Sequence, residues 1–258
     1  MTFHRFLDGV SQNSGDGKTL YAAFKDVDSN FQRTVPFTSA ETFSVGSGYF
    51  STINEALTWA SRKGSSHFNG RITLHLVAGF EMSEQVLVDG LDLSWITITG
   101  ADSETTIVRS ALSTNVNTGF PAFFADNGGV LPVIGQLFNM NNTGSGANRH
   151  GVFVRNKSGS ITLPGCGVKN AGEHAFYALE GSWQNNQQAN GSGAGQHAFF
   201  AESGSWQNNQ QANGSEAGGH AFRVREGSIM NAMGATNIGS TSPAAMNTTT
   251  ASGIIFVI

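Results

Sequence analysis

Cysteine, proline and charge are what this 258-residue chain has least of. Its one thiol, Cys166, cannot close an intrachain disulfide, so packing and hydrogen bonds must hold the fold. Charged residues make up 12% of the chain, too few for helical repeats built on Ala, Glu, Lys and Leu. The net charge of −4 comes without a basic stripe, which argues against nucleic acid and anionic membrane as partners. No stretch approaches the roughly 18 apolar residues that would span a bilayer. The first residues, Met1 to Phe6, lack the apolar core of a secretion signal, so synthesis in a cytoplasm is expected.

Glycine and aromatic side chains are plentiful. With 33 Gly and only 5 Pro, the composition suits short strands joined by tight turns, and 19 Phe with 4 Trp and 3 Tyr exclude a disordered chain. The pattern then turns explicit. Gly181–Ser192 reads GSWQNNQQANGS, and Gly204–Ser215 repeats it without a change 23 positions later. His-Ala-Phe stands ahead of both copies, at His174 and His197, and again at His220. A period of this length marks units that cannot bury their own apolar faces and must stack on one another. A unit of about 23 residues fits three short strands plus turns, and 41–258 reads as one parallel β-helix domain of the all-β class.

Ahead of the repeats, strand-like runs span Arg71–Ala78, Gln85–Val88, Trp95–Thr99 and Thr105–Val108. Ser51 or Thr52 can cap a short helix whose apolar side holds Ile53, Ala56, Leu57 and Ala60, placed to plug the open end of the stack. Residues 1–40 are distinct. There Leu20, Phe24, Val27 and Phe31 form one apolar stripe on a helix, suited to capping or to assembly.

Equivalent residues of adjacent repeats should form ladders. Phe176, Phe199 and Phe222 share a parity with Ala178, Ala201 and Val224, and are expected to point inward. Phe153, Tyr177, Phe200 and Arg223 take the opposite parity and should form an exposed row, either a subunit interface or a platform for sugar rings. His150, His174, His197 and His220 make a further ladder. With no carboxylate or Cys completing a set at each level, a turn or interface role is expected, and no metal or cofactor. Trp183 and Trp206 align with Ile161 and Ile229, an exchange that argues for core or interface packing and not for a sugar platform. Asn185, Asn208 and Asn231 also align, and with Gln187 and Gln210 they could offer amides to sugar hydroxyls or simply line a turn stack. Glu180 and Glu226 share a position two repeats apart. Their backbones would lie roughly 9.6 Å apart, at the upper edge of the carboxylate spacing for inverting glycoside hydrolysis, and they are the only weak candidates for catalysis.

Residues 15–31, GDGKTLYAAFKDVDSNF, resemble a segment common near the N-termini of bacteriophage tail and spike proteins, with Asp28 where that pattern usually has Asn. The resemblance implies a right-handed, pectate-lyase-like β-helix with a helical plug. It implies a virion location after lysis, a homotrimer, contact with other virion proteins through residues 1–40, and attachment to a bacterial surface polysaccharide. Alternatives of the same architecture are a polysaccharide depolymerase (a glycoside hydrolase or lyase) and a structural spacer.

Overall fold

The computed structural model describes residues 40–63, 71–116, 119–140, 149–235, 249–250 and 253–256. The stripe at Leu20, Phe24, Val27 and Phe31 lies outside these residues. The chain is mostly β, with parallel sheets. In order it runs β1 (Glu41–Val45), α1 (Ile53–Lys63), β2 (Ile72–Leu76), β3 (Glu81–Met82), β4 (Val86–Asp89), β5 (Ile96–Gly100), β6 (Thr105–Ile107) and β7 (Phe123–Asp126). It continues through β8 (Val133–Ile134), β9 (Leu137–Asn139), β10 (Val152–Val154), β11 (Gly159–Ile161), β12 (Gly167–Lys169), β13 (His174–Ala178) and β14 (Trp183–Asn185). It ends with β15 (His197–Ala201), β16 (Trp206–Asn208), β17 (His220–Arg225), β18 (Ile229–Asn231), β19 (Thr249–Thr250) and β20 (Ile254–Phe256).

From β2 onward, successive strands join different sheets in turn. Sheet I has the order β1-β2-β5-β8, sheet II β19-β17-β15-β13-β10-β7-β4, sheet III β11-β14-β16-β18-β20 and sheet IV β12-β9-β6-β3. Bridges Val130↔Gly159 and Ile134↔Thr162 carry sheet I into sheet III. Within the repeats the third strand shrinks to the bridges Gly167↔Asn190↔Asn213, so each 23-residue unit supplies two strands and a bridge, not three strands.

The register follows the repeat. His174 lies opposite His197 and His197 opposite His220, while Trp183 faces Trp206 and Trp206 faces Ile229. Phe176, Phe199 and Phe222 point inward and are fully buried, with ring centroids 5.0 and 5.2 Å apart and planes within 8° of parallel. One expectation fails at the first repeat. Gly159, not Ile161, lies opposite Trp183, and Ile161 faces Asn185. The turn before β11 is Asn156-Lys157, both at positive φ, in the place that Glu180-Gly181 takes one unit later. Lys157 thus does the work of a glycine, and the Gly-Ser-Ile motif sits two residues out of step.

At the other end, α1 lays Ile53, Ala56, Leu57 and Ala60 against the core, all buried as expected. Its start is held twice. Thr52 Oγ1 accepts the Glu55 N–H at 3.1 Å, and the Glu84 carboxylate, from beyond β3, accepts the N–H groups of Ile53 and Asn54 at 2.5 and 3.0 Å. Free N–H groups at a helix start favour an anionic acceptor, so Glu84→Ala should cost about 1–2 kcal/mol, read by chemical denaturation. A loss under about 0.3 kcal/mol would mean the plug is held by its apolar side alone.

Candidate functional site

Sheet III carries the most distinctive surface. A three-residue strand in a stack puts its middle residue on one side and its two flanks on the other. Gln184, Gln207 and Met230 are the middle residues of β14, β16 and β18, and all are buried. The flanks face outward and form two parallel ladders. One runs Trp183, Trp206, Ile229, Ile254, and the other Asn185, Asn208, Asn231, Phe256. No charged residue stands in any of these four strands.

The aromatic ladder is open to solvent. Trp206 is 42% exposed, Ile229 39% and Ile254 50%, so of the core or interface packing that the Trp-to-Ile exchange suggested, the core reading is corrected: these side chains stand on the surface of the chain. The Trp183 indole leans over Gly159, where a Cβ would fall 2.2 Å from the ring, and that missing side chain gives the indole its bed. The amide ladder beside it is internally bonded. Asn208 Nδ2 donates to Asn185 Oδ1 and Asn231 Nδ2 to Asn208 Oδ1, each at 3.0 Å. Bonding along the stack fixes each amide plane, and since Asn208 Oδ1 also accepts the Gln210 N–H and Asn231 Oδ1 the Met233 N–H, it is chiefly the second N–H of each amide that is left for an outside partner.

The expected contacts at Gln187 and Gln210 lie in the next turn, Gln187 exposed and Gln210 partly so. The amides bonded there are their neighbours, Gln188 Nε2 donating to Gln211 Oε1 at 2.6 Å, both residues at positive φ. Asn185, Asn208 and this turn belong to one side of the stack.

Tyr177 and Phe200 do not join them. They were expected as an exposed row, but the structure buries both, 8% and 5% exposed, in a second apolar cluster with Phe124, Phe153 and Leu179. What covers them was not legible from parity: the imidazole ladder meets their edges, and Arg223 stands 5.3 Å over Phe200. The Tyr177 hydroxyl donates to Glu202 at 2.8 Å, and Glu202 pairs with Arg225 at 3.2 Å. Burial pushes the Tyr177 hydroxyl pKa up, with the Glu202 hydrogen bond acting the same way. The expected exposure of the row is therefore corrected: its rings are buried within the chain.

Glu180 and Glu226 also have a plain structural place. Both occupy positive-φ turn positions followed by Gly181 and Gly227, equivalent to Ser203-Gly204 between them. Glu226 accepts the Ser203 hydroxyl at 2.7 Å and lies 3.6 Å from Arg225. Both are exposed, in line with an ordinary solvated turn.

No known protein family, curated protein or solved structure matches this chain. The chemistry of its own surfaces therefore carries the functional argument. Sheet III offers flat apolar rings beside fixed neutral amides, repeated at the roughly 4.8 Å spacing of adjacent strands. That combination suits a ligand with alternating apolar faces and hydroxyl edges and with no charge.

Proposed function

We propose that the chain is a right-handed parallel β-helix that serves as a fibre or spike subunit of a phage-like virion and binds a bacterial surface polysaccharide. The observation that carries this reading is the uncharged outward face of β14, β16 and β18, with Trp183 and Trp206 beside Asn185, Asn208 and Asn231. Extended polysaccharides present pyranose rings whose C–H faces stack on indoles and whose hydroxyls pair with amides, and successive strands set both at a sugar-sized interval. The return of the chain to the same sheet every 23 residues supports the β-helix, and the tail-protein resemblance of residues 15–31 supports the virion setting. In this reading the apolar end of the face, Ile254 and Phe256, contacts other copies in a homotrimer, and residues 1–40 contact other virion proteins.

Incubation with purified host surface polysaccharide, followed by size-exclusion chromatography, tests the proposal. The expected result is polysaccharide co-eluting with the protein at unchanged chain length. Shortened chains would make the protein a depolymerase and return Glu180 and Glu226 to consideration, and free polysaccharide of unchanged length would leave a spacer.

A further inference from the structure

Two rows of rings lie side by side on sheet II. His150, His174, His197 and His220 stack with centroids 5.1, 4.9 and 5.2 Å apart and planes within 18° of parallel. Phe153, Tyr177 and Phe200 stack beside them, and Tyr177 and Phe200 turn their faces or edges to the imidazoles. His150, His174 and His197 are 1%, 5% and 5% exposed. Yet this ladder is poorly hydrogen-bonded: Nδ1 and Nε2 of His150, Nδ1 of His174 and one Glu173 oxygen are buried with no hydrogen-bond partner.

The charges around the ladder are few. Glu173 reaches in from the turn before β13, 3.6 Å from His150 Nε2 and 3.7 Å from His174 Nε2. From β17, Arg223 Nη1 stands 2.7 Å from His197 Nε2, and His197 Nδ1 accepts the His220 N–H at 3.1 Å. A proton added to His197 would therefore face a donor or a cation. Arg149, next to His150, holds its guanidinium 3.8 Å over Phe120. Glu202 and Arg225 lie beyond the ladder, at the Tyr177 hydroxyl. Parallel imidazoles direct their in-plane lone pairs side by side, not to a common point, and among the described residues no three His, Cys, Asp or Glu side chains converge to hold a metal.

We propose that the ladder is an acid-sensitive lock: His150, His174 and His197 must be neutral for β10, β13, β15 and β17 to close on one another, and mild acid weakens that closure. Glu173 can balance one imidazolium, at His150 or His174. A second proton would sit about 5 Å from the first among buried side chains, and a third beside Arg223, so the closed stack cannot accept the charge that the open chain accepts freely.

The direction follows by linkage. Burial holds His150 and His197 near 3 and His174 well below 6.5, and Arg223 adds to the lowering at His197 and His174. The open chain binds protons from 6.5 downward while the closed chain does not, so stability is complete above 6.5 and is lost as pH falls toward the folded values. Glu173 acts in the opposite sense, since burial raises its pKa and its cost grows as pH rises. Glu104 is held low by Lys169. Asp126 is raised by burial but held low on balance by Arg155 and Asn156, and both contributions fade only below 4.5 and 3.8. Glu84, which burial also raises, acts in the same sense as Glu173, so the loss of stability from pH 7 to 5 comes from the imidazoles against these two carboxyls.

Thermal unfolding of the full chain across this window, beside His174→Gln and Glu173→Gln, tests the lock. The wild type should lose about 10 °C or more between pH 7 and 5. His174→Gln should flatten that slope, and Glu173→Gln, which removes the one balancing carboxylate, should steepen it. An unchanged melting temperature in the wild type, or the same slope in His174→Gln, would overturn the proposal. If His174→Gln does not fold, the imidazole proton resonances of the folded wild type decide: three ladder rings silent down to pH 5 support the lock, and rings titrating near 6.5 in the folded state overturn it.

Discussion

Phe199→Ala is expected to remove about 3–5 kcal/mol of stability, a large part of what a single domain commands. Phe199 is fully buried, its ring lying between Phe176 and Phe222 at 5.0 and 5.2 Å, and Gly191 approaches its far edge so closely that an added Cβ would sit 3.1 Å away. The rigid strands on either side are set by backbone hydrogen bonds at fixed spacing, so the hole cannot collapse. Phe199→Leu, which keeps most of the volume, should cost about 1–2 kcal/mol. Chemical denaturation monitored by circular dichroism gives both values, and a loss under about 1 kcal/mol for the alanine variant would mean that the ring ladder contributes no more than a surface contact.

Gln207→Leu should be nearly as damaging although it preserves size and adds apolar surface. Gln207 is fully buried, its amide donating to Gln184 Oε1 at 2.5 Å and to the Phe200 carbonyl at 2.9 Å and accepting from Asn209 Nδ2 at 3.0 Å. Leucine would strand all three partners away from water. At about 1–3 kcal/mol for each group left unpaired, with partial relaxation, the expected loss is about 3 kcal/mol. The same denaturation experiment measures it. A neutral or stabilising result would show that water enters this side of the core. Met230 takes the equivalent place one layer on, where the amide run ends against the apolar β20.

These two residues also show what a reader of the sequence could see. The inward Phe ladder was legible because identical residues 23 apart must share a register, and strand parity then fixes their side. The plug helix was legible from its cap and apolar spacing, but not Glu84, which reaches its first turn from about 30 residues away. The burial of Gln184 and Gln207 was not legible in the sequence. Their burial depends on the Phe200 carbonyl and Asn209 meeting them in space. The row at Tyr177 and Phe200 was given the right parity and the wrong exposure, since parity says which way a side chain points and not what lies over it. His174, His197 and His220 start strands and His150 lies just ahead of β10, with His150, His174 and His197 buried in a stack and not in a turn. Trp183 was misaligned because Lys157 stands at a positive-φ position that the motif leads one to assign to glycine. Of the proposed site, the alignment of Asn185 with Asn208 was legible in the repeat, whereas the open indoles beside them needed the outward side of sheet III to be known.

The measurement that tests the account most directly compares polysaccharide binding by the wild type and by Trp206→Ala. Trp206 is exposed, so its loss should change the melting temperature little. If the face of β14, β16 and β18 holds the glycan, affinity should fall by about tenfold or more, as for a central aromatic contact. Unchanged affinity, with the protein still binding polysaccharide, would place the site elsewhere on the stack and contradict the account.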